Sequence, residues 1–154
     1  VFAARRAIEA AVVDAAVARA TRALLADLRR LVRDEEAAYR GGDRAAGLRL
    51  SLAFHRRLGA LCGNPVLERY LGELVLQTSL AVALYERPDR VHAHADHLAL
   101  LDAIGKRDAK RAVRLMADHL AALERDLDAG AAAATTLAAI FAPVAAAGRP
   151  LPVR

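Results

Sequence analysis

The chain has 154 residues, which suits one domain with a hydrophobic core of real size. Aromatic residues make up only 4 %, while alanine, leucine and arginine, all strong helix formers, dominate the composition. The net charge is +5, but the arginines alternate with acids, as in RRLVRDEEAAYR, which indicates a solvated helix face. The composition therefore predicts an all-α protein and does not favour direct binding of nucleic acid by this segment.

The cysteine count and the hydropathy of the chain bear on the cellular compartment of the protein. Cys62 is the only cysteine, so an intrachain disulfide is excluded. No signal peptide opens the chain, and no apolar run reaches the ~20 residues of a membrane span. These features favour a cytoplasmic protein. Because Val1 stands where a methionine is expected, we expect the chain to be part of a longer protein.

The capping residues and helix breakers predict six helices with short turns, typical of an antiparallel bundle. The first helix spans about residues 2–20, and Gly41-Gly42, Gly63 and Gly105 end later ones. After Gly130 the composition changes to an alanine-rich tail, with one short helix expected around residues 136–141. The predicted N-caps of helices two to six are Thr21, Asp43, Asn64, Asp89 and Asp108.

Three histidines lie on the apolar stripes of three separate predicted helices: His55, His97 and His119. A buried imidazole without a partner costs ~1–3 kcal/mol, and one divalent metal ion can serve three of them at once. A single histidine on an apolar face is usually an ordinary core residue, so the joint placement carries the hypothesis. Asp96 and Asp118 directly precede two of these histidines and point about 100° away around the helix. The sequence thus places no acid beside the cluster.

The order and spacing of two runs, AFHRRLGALCGNPVLERYLGEL and HLALLDAIGKRDAKRAVRLMADHL, resemble the FCD domain of FadR-type GntR transcription regulators. The run RRAIEAAVVDAAVARAT is similar to the first helix of that domain. The resemblance covers residues 1–128 and leaves 129–154 as a C-terminal tail. It implies a bacterial, homodimeric domain that binds a small organic acid and thereby modulates DNA binding. The DNA-binding winged helix-turn-helix domain is expected ahead of Val1 and is absent from this chain.

The resemblance also implies a ligand set for a metal. Metal-binding FCD domains use three histidines, which match His55, His97 and His119, and one carboxylate, whose position holds Ser51. A neutral hydroxyl is a poor substitute for an anionic ligand. Three alternatives therefore stay open. The three histidines hold zinc, nickel or manganese with open positions; His94 supplies a fourth ligand; or a metal-free cluster binds an anionic effector directly.

Arg5, Ser51 and Asn64 are the residues expected to contact the effector. Arg5 matches an arginine of the family's first helix that can face the effector, and its planar fork suits a carboxylate. The plainer alternatives are a solvent-exposed Arg5, a small core-facing Ser51 and an Asn64 that only caps a helix.

The leading functional hypothesis is a regulatory domain that is not an enzyme. A second hypothesis is a metal-dependent hydrolase or isomerase, because three histidines with an open position can activate water. A third is a structural dimerisation bundle whose histidines are inert.

Overall fold

A computed structural model of the chain describes residues 1–85 and 94–133, apart from the side chains of 94, 95 and 128–133. All regular secondary structure within these residues is helical, which confirms the all-α prediction. None of the described helices is long and apolar enough to cross a membrane. The helices are α1 (Phe2–Arg19), α2 (Arg22–Arg40), α3 (Arg44–Leu61), α4 (Pro65–Tyr85), α5 (His94–Gly105) and α6 (Ala109–Ala133).

Polar side chains cap the N-termini of four helices, as their positions in the sequence predict. The Asp43 carboxylate accepts a hydrogen bond from the Ala46 backbone N–H at 2.9 Å. Thr21, Asn64 and Asp108 accept equivalent bonds at the starts of α2, α4 and α6. Each such cap is worth ~1 kcal/mol, since it pairs backbone donors that the helix itself leaves unpaired. Asp89 and the short helix expected at 136–141 lie outside the described residues.

Helix α1 lies at the centre of the bundle and packs against α3, α4, α5 and α6. Its inward face carries Val12, Val13 and Ala16, which are fully buried. Helices α2 and α3 pack along each other, as do α3 and α4. Burying an aliphatic or aromatic side chain contributes ~1.5–3 kcal/mol, so this core supplies most of the driving force for folding. The largest core side chains are Phe54, Leu58, Leu71, Leu100, Leu101, Ile104, Met116 and Leu120.

Three features of these helices are not predicted by the sequence. Helix α6 continues through Gly130 to Ala133, so the first residues of the predicted tail are helical. Leu80 of α4 is 61 % exposed; α4 is apolar on two faces, and the periodicity of its sequence does not distinguish the buried face from the exposed one. Glu35 belongs to the segment expected to be a solvated face, yet it is fully buried.

Candidate metal and effector site

The structure brings the three histidines together in the bundle core. His55 comes from α3, His97 from α5 and His119 from α6, and all three are buried. One ring nitrogen from each lies within 4.8 Å of the others. Two ligands of a tetrahedral zinc lie about 3.4 Å apart, so small rotations of the rings would bring the nitrogens to one ion. The Nε2 atom of His97 is buried and has no hydrogen-bond partner within the described residues.

Phe54 fixes the orientation of two of these rings. It is fully buried, stacks on the His97 ring with 4.2 Å between centroids, and meets the His55 ring edge-on at 5.4 Å. Such aromatic pairs add ~0.5–1.5 kcal/mol beyond their burial. The residue before the first histidine therefore supports the cluster from one side.

Two buried glutamates contact the cluster, so the prediction that no acid lies beside it is wrong. Glu9 of α1 lies 2.9 Å from His55 Nδ1, and Glu35 of α2 lies 3.0 Å from His97 Nδ1. Both side chains are fully buried. A signal for each was present in the pattern. Glu9 continues the buried stripe of Val12, and Glu35 follows Val32 at a spacing of three.

A third acid approaches the cluster from α5. Asp96 does point away from His97, its neighbour in sequence, but it points toward α6. Its Oδ2 atom lies 3.6 Å from the Nδ1 atom of His119. That distance is too long for a hydrogen bond, and the Asp96 side chain is about half exposed. The expectation that Asp96 stands clear of the cluster is therefore wrong for His119.

Arg5 is buried, not solvent-exposed, and joins the site through Glu9. Its Nε–H donates to Glu9 Oε1 at 2.6 Å, and its Nη1–H donates to Thr78 Oγ1 at 2.7 Å. The Thr78 hydroxyl in turn donates to the Val75 carbonyl at 3.0 Å. Glu9 thus holds an arginine with one oxygen and a histidine with the other.

Burial and charge set the protonation of these groups. Burial would raise the pKa of Glu9, but the charges and hydrogen bonds of His55 and Arg5 outweigh it and lower the pKa to about 2. Burial lowers the pKa of His55 to about 3, although Glu9 opposes the shift. Burial, followed by repulsion from His119, holds the pKa of His97 well below its usual 6.5. At neutral pH the site therefore combines an ionised Glu9 with uncharged His55 and His97.

A small cavity lies beside the cluster, with a volume of about 30 Å³. That is room for one or two water-sized groups, far below the ~300–1,000 Å³ of sites that enclose organic ligands. The half-buried Ser51 lines it. The other lining residues include Arg5, Tyr39, His55, Thr78, Ser79 and His119.

The structure does not place the side chains of two expected site residues, Asn64 and His94, at the cavity. Asn64 is exposed at the start of α4, where its Oδ1 atom accepts from the backbone N–H groups of Val66 and Leu67. It does not line the cavity, so the structure favours the capping role. His94 begins α5, but its side chain lies outside the described residues.

The donor set fits a divalent ion of borderline character. Three imidazole donors suit zinc or nickel better than calcium or magnesium, which prefer oxygen ligands. Among the described residues, no donor lies opposite the buried Nε2 atom of His97, as expected of a metal ligand. Ser51 contributes a neutral hydroxyl and therefore no anionic ligand.

Comparisons with known proteins place the chain in a wider context. The family model of the FCD domain matches residues 1–122. Among solved structures, E. coli McbR/YncC is similar, with a TM-score of 0.73 and 19 % sequence identity. The match covers 80 % of this chain and 63 % of that chain, so this chain spans less than two thirds of McbR/YncC. At this identity the likeness shows a shared fold. No curated protein sequence matches the chain.

Proposed function

The chain belongs to the FCD domain family, and from this premise we propose that it senses a small organic acid for a GntR-type transcription regulator. It is a regulatory, effector-binding domain and not an enzyme. The observation that carries the proposal is the meeting of three buried histidines beside a cavity lined by a buried arginine. The proposed compartment is the cytoplasm, where such a regulator meets both metabolites and DNA.

His55, His97 and His119 are the proposed ligands of a divalent metal. A bound ion would act as a Lewis acid and give an anionic effector a charged anchor. His55 and His97 are uncharged at neutral pH because of their lowered pKa values, so their lone pairs are available. Ser51 leaves the site without an anionic protein ligand. The effector's own carboxylate is the proposed source of that missing charge.

Arg5 is the proposed second anchor for the acid. It lines the cavity, and its described hydrogen bonds use two of its five N–H donors. Ser51 and Thr78 add hydroxyl groups to the same wall. Asn64 is not part of this proposal, because it lies away from the cavity.

The small cavity supplies a physical route from binding to signalling. An organic acid does not fit in about 30 Å³, so its entry must separate the helices that carry the lining residues. A ligand that binds only the separated arrangement shifts the population toward it. We propose that this change alters the placement of the DNA-binding domains expected outside this chain. The two sites would then be coupled in the thermodynamic sense.

The regulator is proposed to act as a homodimer. Exposed apolar side chains on α4 support this, because monomeric proteins rarely expose a large contiguous apolar patch. Leu76, Leu80 and Leu84 follow one another at a spacing of four, and each is more than 60 % exposed. In this proposal the regulator contacts DNA only through its winged helix-turn-helix domain, which is expected outside this chain.

Metal content is the test of the proposed site. Tag-free protein, purified without chelators, is expected to carry about one zinc, nickel or manganese ion per chain by elemental mass spectrometry. His97→Ala should lose the ion, because it removes a central ligand. Asp34→Asn, which changes an exposed acid on α2, should retain it.

Ligand screening separates the remaining alternatives. Metal-chelating carboxylates are expected to raise the melting temperature of the metal-loaded protein and not that of His97→Ala. A metal-free protein stabilised by carboxylates would show that the cluster binds the anion directly. A protein with neither metal nor carboxylate response would overturn the proposal and leave an inert bundle.

A further inference from the structure

Two carboxylates from different helices take the same position relative to two of the site histidines. Glu9 of α1 faces Nδ1 of His55, and Glu35 of α2 faces Nδ1 of His97, at 2.9 and 3.0 Å. Both acids are fully buried. A buried carboxylate is costly, and neither is needed to fill the core, since an apolar side chain would do so at lower cost. Their shared placement therefore calls for a role beyond packing.

The hydrogen bonds decide which nitrogen of each ring carries the proton. An uncharged imidazole has one N–H group and one lone pair, and an ionised carboxylate can only accept. A ring whose Nδ1 atom faces an ionised carboxylate therefore carries its proton on Nδ1 and its lone pair on Nε2. His97 Nε2 agrees with this assignment, because it is buried and has no donor opposite it within the described residues.

We propose that Glu9 and Glu35 are positioning residues of the metal site, each holding one histidine in the Nδ1–H form so that its Nε2 atom faces the ion. This inference rests on the proposed function. A carboxylate behind a ligating histidine also makes the ring more basic and strengthens its bond to the metal. The chain thus supplies two acids behind the ligands and has none at the ligand position Ser51.

The arrangement also links α1 and α2 to a site whose ligands lie on α3, α5 and α6. Glu9 accepts from Arg5, also on α1, with Oε1 and contacts His55 of α3 with Oε2, so α1 supplies the proposed effector arginine and supports one proposed metal ligand. Glu35 of α2 contacts His97 of α5. Five of the six helices therefore set the geometry of one cluster.

The first measurement is the ring tautomer in metal-free protein, read from long-range ¹H–¹⁵N correlations of the histidine side chains. Near neutral pH, His55 and His97 are expected in the Nδ1–H form. Free imidazoles prefer the other tautomer, so the expected result differs from the default. An Nε2–H form of His97 in the wild-type protein would overturn the proposal without any variant being made.

The second measurement is metal affinity, by competition with a chromophoric zinc chelator. Glu35→Gln keeps the size of the side chain but removes its charge, and its amide can donate to Nδ1 as well as accept from it. Affinity is expected to fall ~10–100-fold, with a second tautomer of His97 appearing in the metal-free spectrum. Asp34→Asn makes the same change of acid to amide one residue earlier, on the exposed side of α2, and should leave both readouts unchanged.

The two measurements separate this proposal from the proposed function. A wild-type protein that binds no zinc, nickel or manganese would contradict the metal site, while the ring spectra would still decide the role of the glutamates. A folded Glu35→Gln protein with wild-type affinity and wild-type tautomers would contradict the positioning role alone. Circular dichroism tests whether the variant is folded. If it is not folded, the histidine tautomers in the ¹H–¹⁵N spectrum of the wild-type protein decide whether the glutamates position the rings.

Discussion

At the scale of single residues, Glu9 is the point at which the two proposed anchors meet. Its carboxylate accepts from Arg5 and from His55, and all three side chains are buried. Removing one partner of such a buried group costs ~3–5 kcal/mol, because the remaining charge is left unpaired in a medium of low polarity. An effector that draws Arg5 away from Glu9 would therefore also change the environment of His55.

The stability of the metal-free protein is expected to fall as the pH drops below about 6.5. The folded-state pKa values of His55 and His97 are lowered, to about 3 for His55, so the unfolded chain binds protons that the folded chain does not. Each histidine then removes up to ~1.4 kcal/mol per pH unit from the free energy of unfolding. The lowered pKa of Glu9 adds a further loss below pH 4.5. Urea unfolding in EDTA, at about pH 7.5 and about pH 5, measures the effect.

His55→Gln is the control for this pH dependence. It removes one of the two titrating rings, so the slope between the two pH values should be about half that of the wild-type protein. A free energy of unfolding that does not change between these pH values would show that the two rings titrate as they do in the unfolded chain.

At the scale of elements, the close approach of α2 and α3 shapes the wall of the cavity. Gly47 of α3 lies directly under the ring of Tyr39, which lines the cavity from α2. A methyl group at Gly47 would lie 2.7 Å from three atoms of that ring. Glycine is therefore required here by the contact between helices, since its backbone is ordinary helix.

Gly47→Ala and Gly72→Ala are expected to change stability in opposite directions. Alanine favours the helix by about 1 kcal/mol at either position, but at Gly47 it must displace the Tyr39 ring at a cost of ~1–3 kcal/mol. In the part of the chain that the structure describes, no atom lies within 4 Å of a methyl group added at Gly72 on α4, so only the gain applies. Urea unfolding measures both variants. Equal stabilisation by Gly47→Ala and Gly72→Ala would mean that the Tyr39 ring moves aside without an energetic cost.

The elements were largely predictable, and the buried acids were not predicted. Capping by Thr21, Asp43 and Asn64 follows from local chemistry, which a sequence displays directly. The charged neighbours of Glu35 predict a solvated face, whereas its spacing of three from Val32 puts it on the buried stripe. Only the tertiary partner, His97 on another helix, makes a buried acid stable there, and a single sequence does not show that partner.

At the scale of the whole molecule, the exposed face of α4 is the surface proposed for the dimer. Leu76, Leu80 and Leu84 form a continuous apolar row on a helix of 21 residues. The hydrophobic period of α4 is weak because both of its faces are apolar, so only the packing of α4 against α1 and α3 separates them.

Leu80→Glu is expected to convert the dimer to a monomer, because it places a charge in the centre of the proposed apolar contact. Sedimentation velocity should give twice the chain mass of 16.4 kDa for the wild-type protein and the chain mass itself for the variant. Leu24→Glu, on a different face of the bundle, should remain dimeric. A monomeric wild-type protein, or a dimeric Leu80→Glu variant, would show that this face of α4 is not the interface.

The narrow cavity beside the histidines also has a consequence in time. If an organic acid binds there as proposed, the helices that line the cavity must first separate, so that uptake would be limited by this opening and not by diffusion. Escape would require the same opening, so a bound molecule would stay longer than one held with equal affinity in an open cleft. Such a sensor would average the supply of its metabolite over the interval between openings and would not follow brief fluctuations.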